Sequence, residues 1–522
     1  MDLVKVVEPR VNVKADVAKN HAVLLGGERV TYTTNVADSW NTNVTTAQWS
    51  ITPPSNQTII DRNIKVKAYF DVVTNQAVVF GSQDAPRQFP LNSLVDVTTL
   101  QINGESISDN TGSSLHPLLC YTDAHERNEY YTETCSMPDS YQQYSDWNVY
   151  GSARNPLASF GEVPHEQSRG GFDIQVISAT NFRIVVTEPI MLSPLYQHGR
   201  EVEGMINVNS LRVSLRFKAG LDRILSHAST GNAITSVTTT FYQAPELLIN
   251  YITPSLVQPL PALQVLPYSK LQHYIRDVPA LANGASSTVT SDTIRLSVIP
   301  RMIYLYVSHS EQTKNFSVSD SFLEITSVNM TFGNQAGLFA SATQQQLYRM
   351  SKENGLGLDF ASFKKYRGSV IAIQMGKDVG LDPQLASGVN GSFNIQFTLG
   401  VKNNSGASFT GTFYISTLNE GTFSIGDNSA RATIGNLTPE MVMMARESPA
   451  ELHDYHEIYG SGFWSSLKNI VNKVATGVSQ YAMPIATALG MPEVGTAVTG
   501  IASGVKSLTG GSRLGGGRLI RS

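Results

Sequence analysis

Over Asn63–Val72, apolar and polar side chains alternate strictly. Ile64, Val66, Ala68, Phe70 and Val72 interleave with Asn63, Lys65, Lys67, Tyr69 and Asp71. A period of two sends the two sets to opposite faces of a strand, so this segment predicts a strand with one buried and one wetted side. Leu211, Val213, Leu215 and Phe217 repeat the pattern against Arg212, Ser214, Arg216 and Lys218. The run Leu100–Ile107 predicts a tight hairpin, because Asn103-Gly104 at its centre supplies the positive φ angles of a type I′ turn. The second half continues in the same way. Ile294, Leu296 and Val298 alternate, then Ile303, Leu305 and Val307, then Phe393, Ile395, Phe397, Leu399 and Val401, then Phe413 and Ile415. Many short strands separated by Gly, Asn and Ser turns predict an all-β sandwich or barrel, not a parallel α/β sheet.

Two interruptions divide this pattern. Residues 109–171 show no periodicity and are rich in Tyr, Ser, Asn, Asp and Pro, which predicts a long functional loop within the first domain. Pro245, Pro254, Pro259, Pro261 and Pro267 crowd one stretch, which is expected to be extended and not a central strand. A chain of 522 residues is long enough for two domains and a tail. The expected division is an N-terminal arm over 1–49, a first domain over 50–243, a linker over 244–268, a second domain over 269–445 and a tail over 446–522. A faint repeat agrees with duplication. The amphipathic stretch Ser210–Phe217 runs into Ala219-Gly220-Leu221, and Ser327–Phe332 runs into Ala336-Gly337-Leu338.

Composition changes the picture in one respect. Hydrophobic residues make up 41%, enough for a core in each half, but charged residues only 15%, below the roughly 25% of an average soluble domain. Such a surface suits a chain that buries much of its exterior in an assembly. Residues 1–20 mix Lys5, Arg10, Lys14 and Lys19 with Asp2, Glu8 and Asp16, so no basic arm for packaging nucleic acid is expected there. The two cysteines, Cys120 and Cys135, are too few for a disulfide framework, and reduced thiols are the simpler expectation. Met1–Ala18 holds no continuous apolar stretch, so no signal peptide is expected, and no window holds about 18 uninterrupted apolar residues, so no ordinary membrane span is expected.

Two segments carry a resemblance. Ser136-Met137-Pro138-Asp139-Ser140-Tyr141-Gln142-Gln143-Tyr144-Ser145-Asp146, followed by Ala153-Arg154-Asn155-Pro156-Leu157-Ala158, is similar to capsid proteins of small eukaryotic DNA viruses. So is Gln335-Ala336-Gly337-Leu338-Phe339-Ala340-Ser341, with Gln346-Leu347-Tyr348 behind it. The group resembled is the polinton-like, virophage-like and adenovirus-like assemblage, over about residues 50–445. The resemblance implies two consecutive eight-stranded jelly rolls in one chain, standing roughly perpendicular to an icosahedral shell. It also implies homotrimeric pseudo-hexagonal capsomers, with penton and minor capsid proteins as partners. On that analogy residues 109–171 would serve trimer contacts or the exterior.

The tail differs in character. Within 463–522 six basic residues face Glu493 alone, giving +5 and leaving about −9 on the rest of the chain. Phe463, Leu467, Ile470, Val471, Val474 and Val478 share one face of a helix that Ser461 is placed to cap. Such a basic amphipathic segment is expected either to meet a membrane or to dock on the protein's own base. Gly510–Ser522 is Gly- and Arg-rich, expected to be disordered and able to touch nucleic acid. Ile458-Tyr459-Gly460-Ser461-Gly462 and Leu508-Thr509-Gly510-Gly511-Ser512 resemble the cleavage sites of adenovirus-type maturation proteases. The implied cuts fall between Ser461 and Gly462 and between Gly511 and Ser512 and would release residues 462–511. Leu24–Glu28 and Leu514–Gly517 fit the same loose pattern.

No phosphate-cradling Gly-x-x-x-x-Gly-Lys, His-Glu-x-x-His or Cys-x-x-Cys occurs, and no Gly-x-Ser-x-Gly joins a strand to a helix. His453-Asp454-Tyr455-His456-Glu457 is the one ligand-rich cluster, and a solvated linker is the expected reading of it; Asp123, His125 and Glu126 belong to the long loop. Neither catalytic residues nor a metal or cofactor is expected. Two alternatives stand beside the shell-building reading: a secreted carbohydrate-binding or carbohydrate-cleaving β-sandwich, and a minor capsid or penton protein.

Overall fold

A computed structural model describes residues 29–55, 58–78, 84–87, 89–121, 172–195, 204–227, 234–253, 261–318, 320–426 and 429–447. The first part of the chain forms β1 (Arg29–Val36), β2 (Ser39–Trp40), β3 (Thr46–Ile51), β4 (Ile59–Ile60), β5 (Lys65–Thr74), β6 (Asp84–Pro86), β7 (Val95–Ile102), β8 (Glu105–Asp109), β9 (Phe172–Ser178), β10 (Asn181–Pro189), β11 (Leu211–Phe217), β12 (Leu225–His227), β13 (Val237–Phe241) and β14 (Glu246–Thr253), with helices α1 (Pro90–Leu94) and α2 (Thr111–Leu119). The second part forms β15 (Leu263–Leu281), β16 (Ser286–Thr290), β17 (Ile294–Val298), β18 (Met302–His309), β19 (Glu324–Phe332), β20 (Gln335–Leu338), β21 (Val370–Gln374), β22 (Asn390–Lys402), β23 (Phe409–Gly426) and β24 (Ala430–Ile434), with helices α3 (Gln344–Glu353) and α4 (Pro439–Glu447).

Both parts wind their strands in one order. In the first, β1-β14-β5-β10 forms one sheet and β3-β11-β7-β8 the other. In the second, β15-β23-β18-β21 faces β16-β22-β19-β20. Ranked along the chain, each part therefore places its first, eighth, third and sixth strands beside one another, opposite its second, seventh, fourth and fifth. That permutation is the jelly roll, so the fold is all-β with two consecutive jelly rolls. β9 and β2 extend the sheets of the first roll at their edges, and β24 pairs β23 in the second.

The expected alternations are the core-facing rows. Val66, Ala68, Phe70 and Val72 of β5 are buried, as are Leu211, Val213, Leu215 and Phe217 of β11. Each of these apart from Ala68 stabilises the fold by about 1.5–3 kcal/mol relative to exposure. Phe241 gathers the centre, stacked on Phe70 at 5.2 Å and edge-on to Phe217 at 5.5 Å. Asn103 and Gly104 both take positive φ and close a two-residue hairpin between β7 and β8. The matching hairpin between β19 and β20 turns at Gly333-Asn334, with Gly333 at positive φ.

Several expectations need correction. Residues 29–49, expected in an N-terminal arm, contain β1, β2 and the start of β3, because β1 pairs along its whole length with β14. The stretch 244–268 is not all linker. β14 lies between β1 and β5, since Pro245 precedes it and leaves its ladder intact. Pro267 lies inside β15, which runs along a sheet edge, where proline is tolerated. The irregular region 109–171 begins with α2, and its residues 122–171 lie outside the described ones. β15 starts before residue 269 and α4 runs past 445. The Ala-Gly-Leu repeat matches unlike strands: β11 is the seventh strand of its roll and β19 the fourth. The true counterparts are β7-β8 and β19-β20.

Candidate functional site: the seam between the two rolls

Every site residue expected from sequence, namely Ser461, Gly462, Gly511, Ser512, Phe463, Leu467, Ile470, Val471, Val474 and Val478, lies outside the described residues, as do Cys135 and the His453–Glu457 cluster. What the structure brings together is a different set, where the first roll meets the second.

One half of the seam is a clasp. In β18, Ile303, Leu305 and Val307 face their own core, yet all eight residues of the strand are buried. The outer row is covered by α2 and the residues just after it, which belong to the first roll. Tyr306 donates its hydroxyl to the Ser113 carbonyl at 3.0 Å, and Tyr121 donates to the Val370 carbonyl at 2.8 Å. The Tyr121 ring meets Tyr304 edge-on at 5.1 Å, and the Gly357 N–H donates to the Cys120 carbonyl at 2.7 Å. Tyrosine suits this row because its ring buries apolar area while its hydroxyl finds a carbonyl. Burial pushes the Tyr306 hydroxyl well above its ordinary value, and Tyr304 to about 12, so both stay neutral.

The other half is a buried charged knot. Asp320 of the second roll pairs with Arg87 at 3.0 Å and with Arg223, both from the first roll. Arg87 also donates to the carbonyls of Asn315 (2.9 Å), Phe316 (3.2 Å) and Val318 (2.6 Å), so a single guanidinium fixes the whole loop between β18 and β19. Next to it Glu311 pairs with Lys218 at 3.1 Å and with Lys314 at 2.5 Å. Burial alone would raise the Glu311 carboxyl, but Lys314, Lys218 and Arg223 hold it far below its ordinary value. Burial pulls the Lys314 and Lys218 ammonium groups down. At the far end Asn103, the hairpin residue, donates to the carbonyls of Asn207 (2.7 Å) and Gly426 (3.1 Å), and Glu105 accepts from the Ala432 N–H at 3.1 Å. Leu266, Tyr268, Phe423 and Ile425, from β15 and β23, complete the core of the first roll. Among the described residues no group of three or more His, Cys, Asp and Glu could hold a metal ion, and no helix is long and apolar enough to cross a membrane.

Comparison with known proteins gives this architecture its kin. Residues 1–182 match the family of the Sputnik virophage major capsid protein first domain, and residues 271–421 match the major capsid protein V20 C-terminal domain. The putative capsid protein V20 of Sputnik virophage is 29% identical over 521 residues, covering 91% of this chain and 87% of its own. The chain in the cryo-EM structure of the Sputnik virophage superposes with a TM-score of 0.78 at 29% identity, over 88% of this chain and 98% of that one. The chain is a homologue of virophage major capsid proteins. The mavirus major capsid protein shares its fold, with a TM-score of 0.69 at 15% identity over 87% of this chain and 99% of that one. The homologue is thus a structural protein of the virion capsid, from a family that is not one of enzymes.

For such a protein the seam is what ties two rolls into one building block. Its residues escaped sequence reading because Arg87, Arg223 and Asp320 are far apart in the chain and carry no motif. A signal for the clasp was present: Met302–Val307 is apolar or aromatic at every position, the mark of a strand covered on both faces.

The seam also carries a pH dependence. Burial lowers His273 to about 4; burial, with Lys314, Arg223 and Arg87 nearby, lowers His309 to about 3. His309 lies against Phe409 at 3.8 Å, and His273 shares a 2.7 Å hydrogen bond with Ser416. The folded chain therefore binds fewer protons at these two sites than the unfolded chain, in which histidine titrates near 6.5. Their contribution is complete above pH 6.5 and is lost as pH falls through 4 and then 3. Asp109, raised to about 6 by burial, acts in the opposite sense and loses its contribution as pH rises through 6. A melting-temperature series from pH 7 to pH 4 is expected to decline, and the double variant His273→Gln/His309→Gln to decline less steeply. Equal slopes would contradict the assignment.

Proposed function

We propose that the chain self-assembles as trimers of pseudo-hexagonal outline, the capsomers of an icosahedral virion shell, and has no enzymatic role. The observation that carries this reading is the duplication: two rolls of identical strand order are tied by a buried seam, so three chains present six near-equivalent rolls that can close a ring. The low charge content fits a surface largely buried by neighbouring copies. Penton and minor capsid proteins are the partners expected at ring and vertex boundaries. Recombinant full-length chain, sized by light scattering and imaged in negative stain, is expected to give trimers of hexagonal outline; a stable monomer at micromolar concentration would overturn the reading.

The basic tail adds a second part to this proposal. Residues 462–511 are released by a maturation protease and meet a membrane, while the Gly-Arg end touches packaged nucleic acid. Support comes from the two cleavage-like stretches that bracket the amphipathic segment. Mass spectrometry of purified particles is expected to find chains ending at Ser461; chains ending only at Ser522 would refute release.

A further inference from the structure

The two rolls are equivalent in topology, but their outer faces are not equally covered. The outer face of the β15-β23-β18-β21 sheet is capped by the segment following β8, the fifth strand of the first roll, through α2 and Tyr121. The corresponding β1-β14-β5-β10 face of the first roll has no such cap among the described residues. Its position equivalent to the Tyr304–Tyr306 row is Tyr69, paired across strands with Val185. Around that pair Val73 is 47% and Tyr242 53% exposed, and the same face continues on β1 through Tyr32, 78% exposed, and Val36. Exposed apolar side chains gathered on one sheet face, around the Arg183–Asp71 ion pair and the Tyr242 ring that Arg183 covers, mark a contact surface.

The second roll owns the matching cap. The segment after β20, its fifth strand, contains α3, which packs against its own β21 and β19 through Leu347. Beside it Phe339, Ser341, Ala342, Gln346, Leu347 and Met350 line an open cleft of about 350 Å³, its apolar members resting on the core of their own roll. Phe339 holds a φ of 65°, a left-handed conformation costly for a bulky side chain, and such strain gathers at functional positions. The capping box of Thr343 and Gln346 fixes the start of α3 at the cleft rim.

We propose that the α3 cleft of one chain covers the Tyr69–Val185 face on the first roll of a second chain, repeating between chains the contact that α2 makes within one. The inference rests on the trimer reading above and names the surfaces that join its members. The contact is heterologous, cleft to sheet, so it propagates head to tail and closes when three chains supply six rolls.

Two double variants test it by size measurement. Val73→Glu/Tyr242→Glu spoils the sheet and leaves the cleft, while Ala342→Glu/Met350→Glu does the reverse. Each alone is expected to be a monomer, and their equimolar mixture to form dimers, because one intact cleft then meets one intact sheet and the ring cannot close. Variants that still form trimers, or folded variants whose mixture stays monomeric, would overturn the inference while the trimer reading stands. A wild-type monomer would instead remove the trimer reading itself. If a double variant melts early, the chain carrying Val73→Cys and Met350→Cys decides the matter. Bifunctional thiol cross-linking is expected to give a ladder up to three chains, absent from chains carrying either added cysteine alone; no ladder overturns the contact.

Discussion

Replacing Asp320 by alanine is expected to destabilise the chain by about 3–5 kcal/mol, because two buried guanidinium groups lose a shared counter-charge. The desolvation cost of Arg87 and Arg223 is already met in the folded chain; it is the attraction of the carboxylate that offsets it. Arg87 keeps its three carbonyl acceptors, so the loop it holds is loosened and not released. The seam then becomes the weak point, and calorimetry is expected to resolve two transitions where the parent chain shows one. Asp320→Asn, which keeps acceptor oxygen but no charge, should fall between. A single unaltered transition in Asp320→Ala would mean that the knot contributes little to joining the rolls.

Glu188→Ala should be nearly as damaging, at about 2–4 kcal/mol. Glu188 is fully buried on β10, and its carboxylate accepts the N–H groups of Leu91 at 2.9 Å and Asn92 at 2.8 Å, together with the Asn92 side-chain amide at 2.8 Å. These are the first donors of α1, which no side chain of its own N-cap residue satisfies. Truncation strands two buried backbone donors, each costing about 1–3 kcal/mol. Glu188→Gln retains one acceptor and is expected to lose roughly half as much. Urea unfolding would measure both: the midpoint should fall with little change of slope. A midpoint shift in Glu188→Gln as large as in Glu188→Ala would show that charge, not acceptor geometry, is what α1 requires.

What could be read from sequence was decided by water. β5, β11 and β22 were legible because each has one wet face, so their side chains alternate. β1 was not. Its apolar residues Val30, Tyr32 and Val36 point outward, while Thr33 and Asn35 turn back to the carbonyls of Ile249 and Leu247. A strand whose apolar row has no partner among the described residues reads as an arm. β14 was hidden by the prolines around it, although none falls within the strand. The seam stayed hidden for another reason: long-range ion pairs leave no periodic trace, and Asp320 looks like any loop aspartate until Arg87 and Arg223 reach it. The duplication was legible as length and as a proline-rich break, but the short Ala-Gly-Leu echo misplaced its phase.

The order of synthesis gives the shared core a further meaning. Phe423 and Ile425 are made long after β14, yet they lie in the core of the first roll with Leu266 and Tyr268. A chain emerging from the ribosome can wind its N-terminal roll but cannot seal it until the eighth strand of the second has been translated. The usual advantage of vectorial folding, an early and independent N-terminal domain, is thereby withheld. A truncated chain carries an open first roll and a missing seam, so an incomplete product should be a poor competitor for places in a growing lattice.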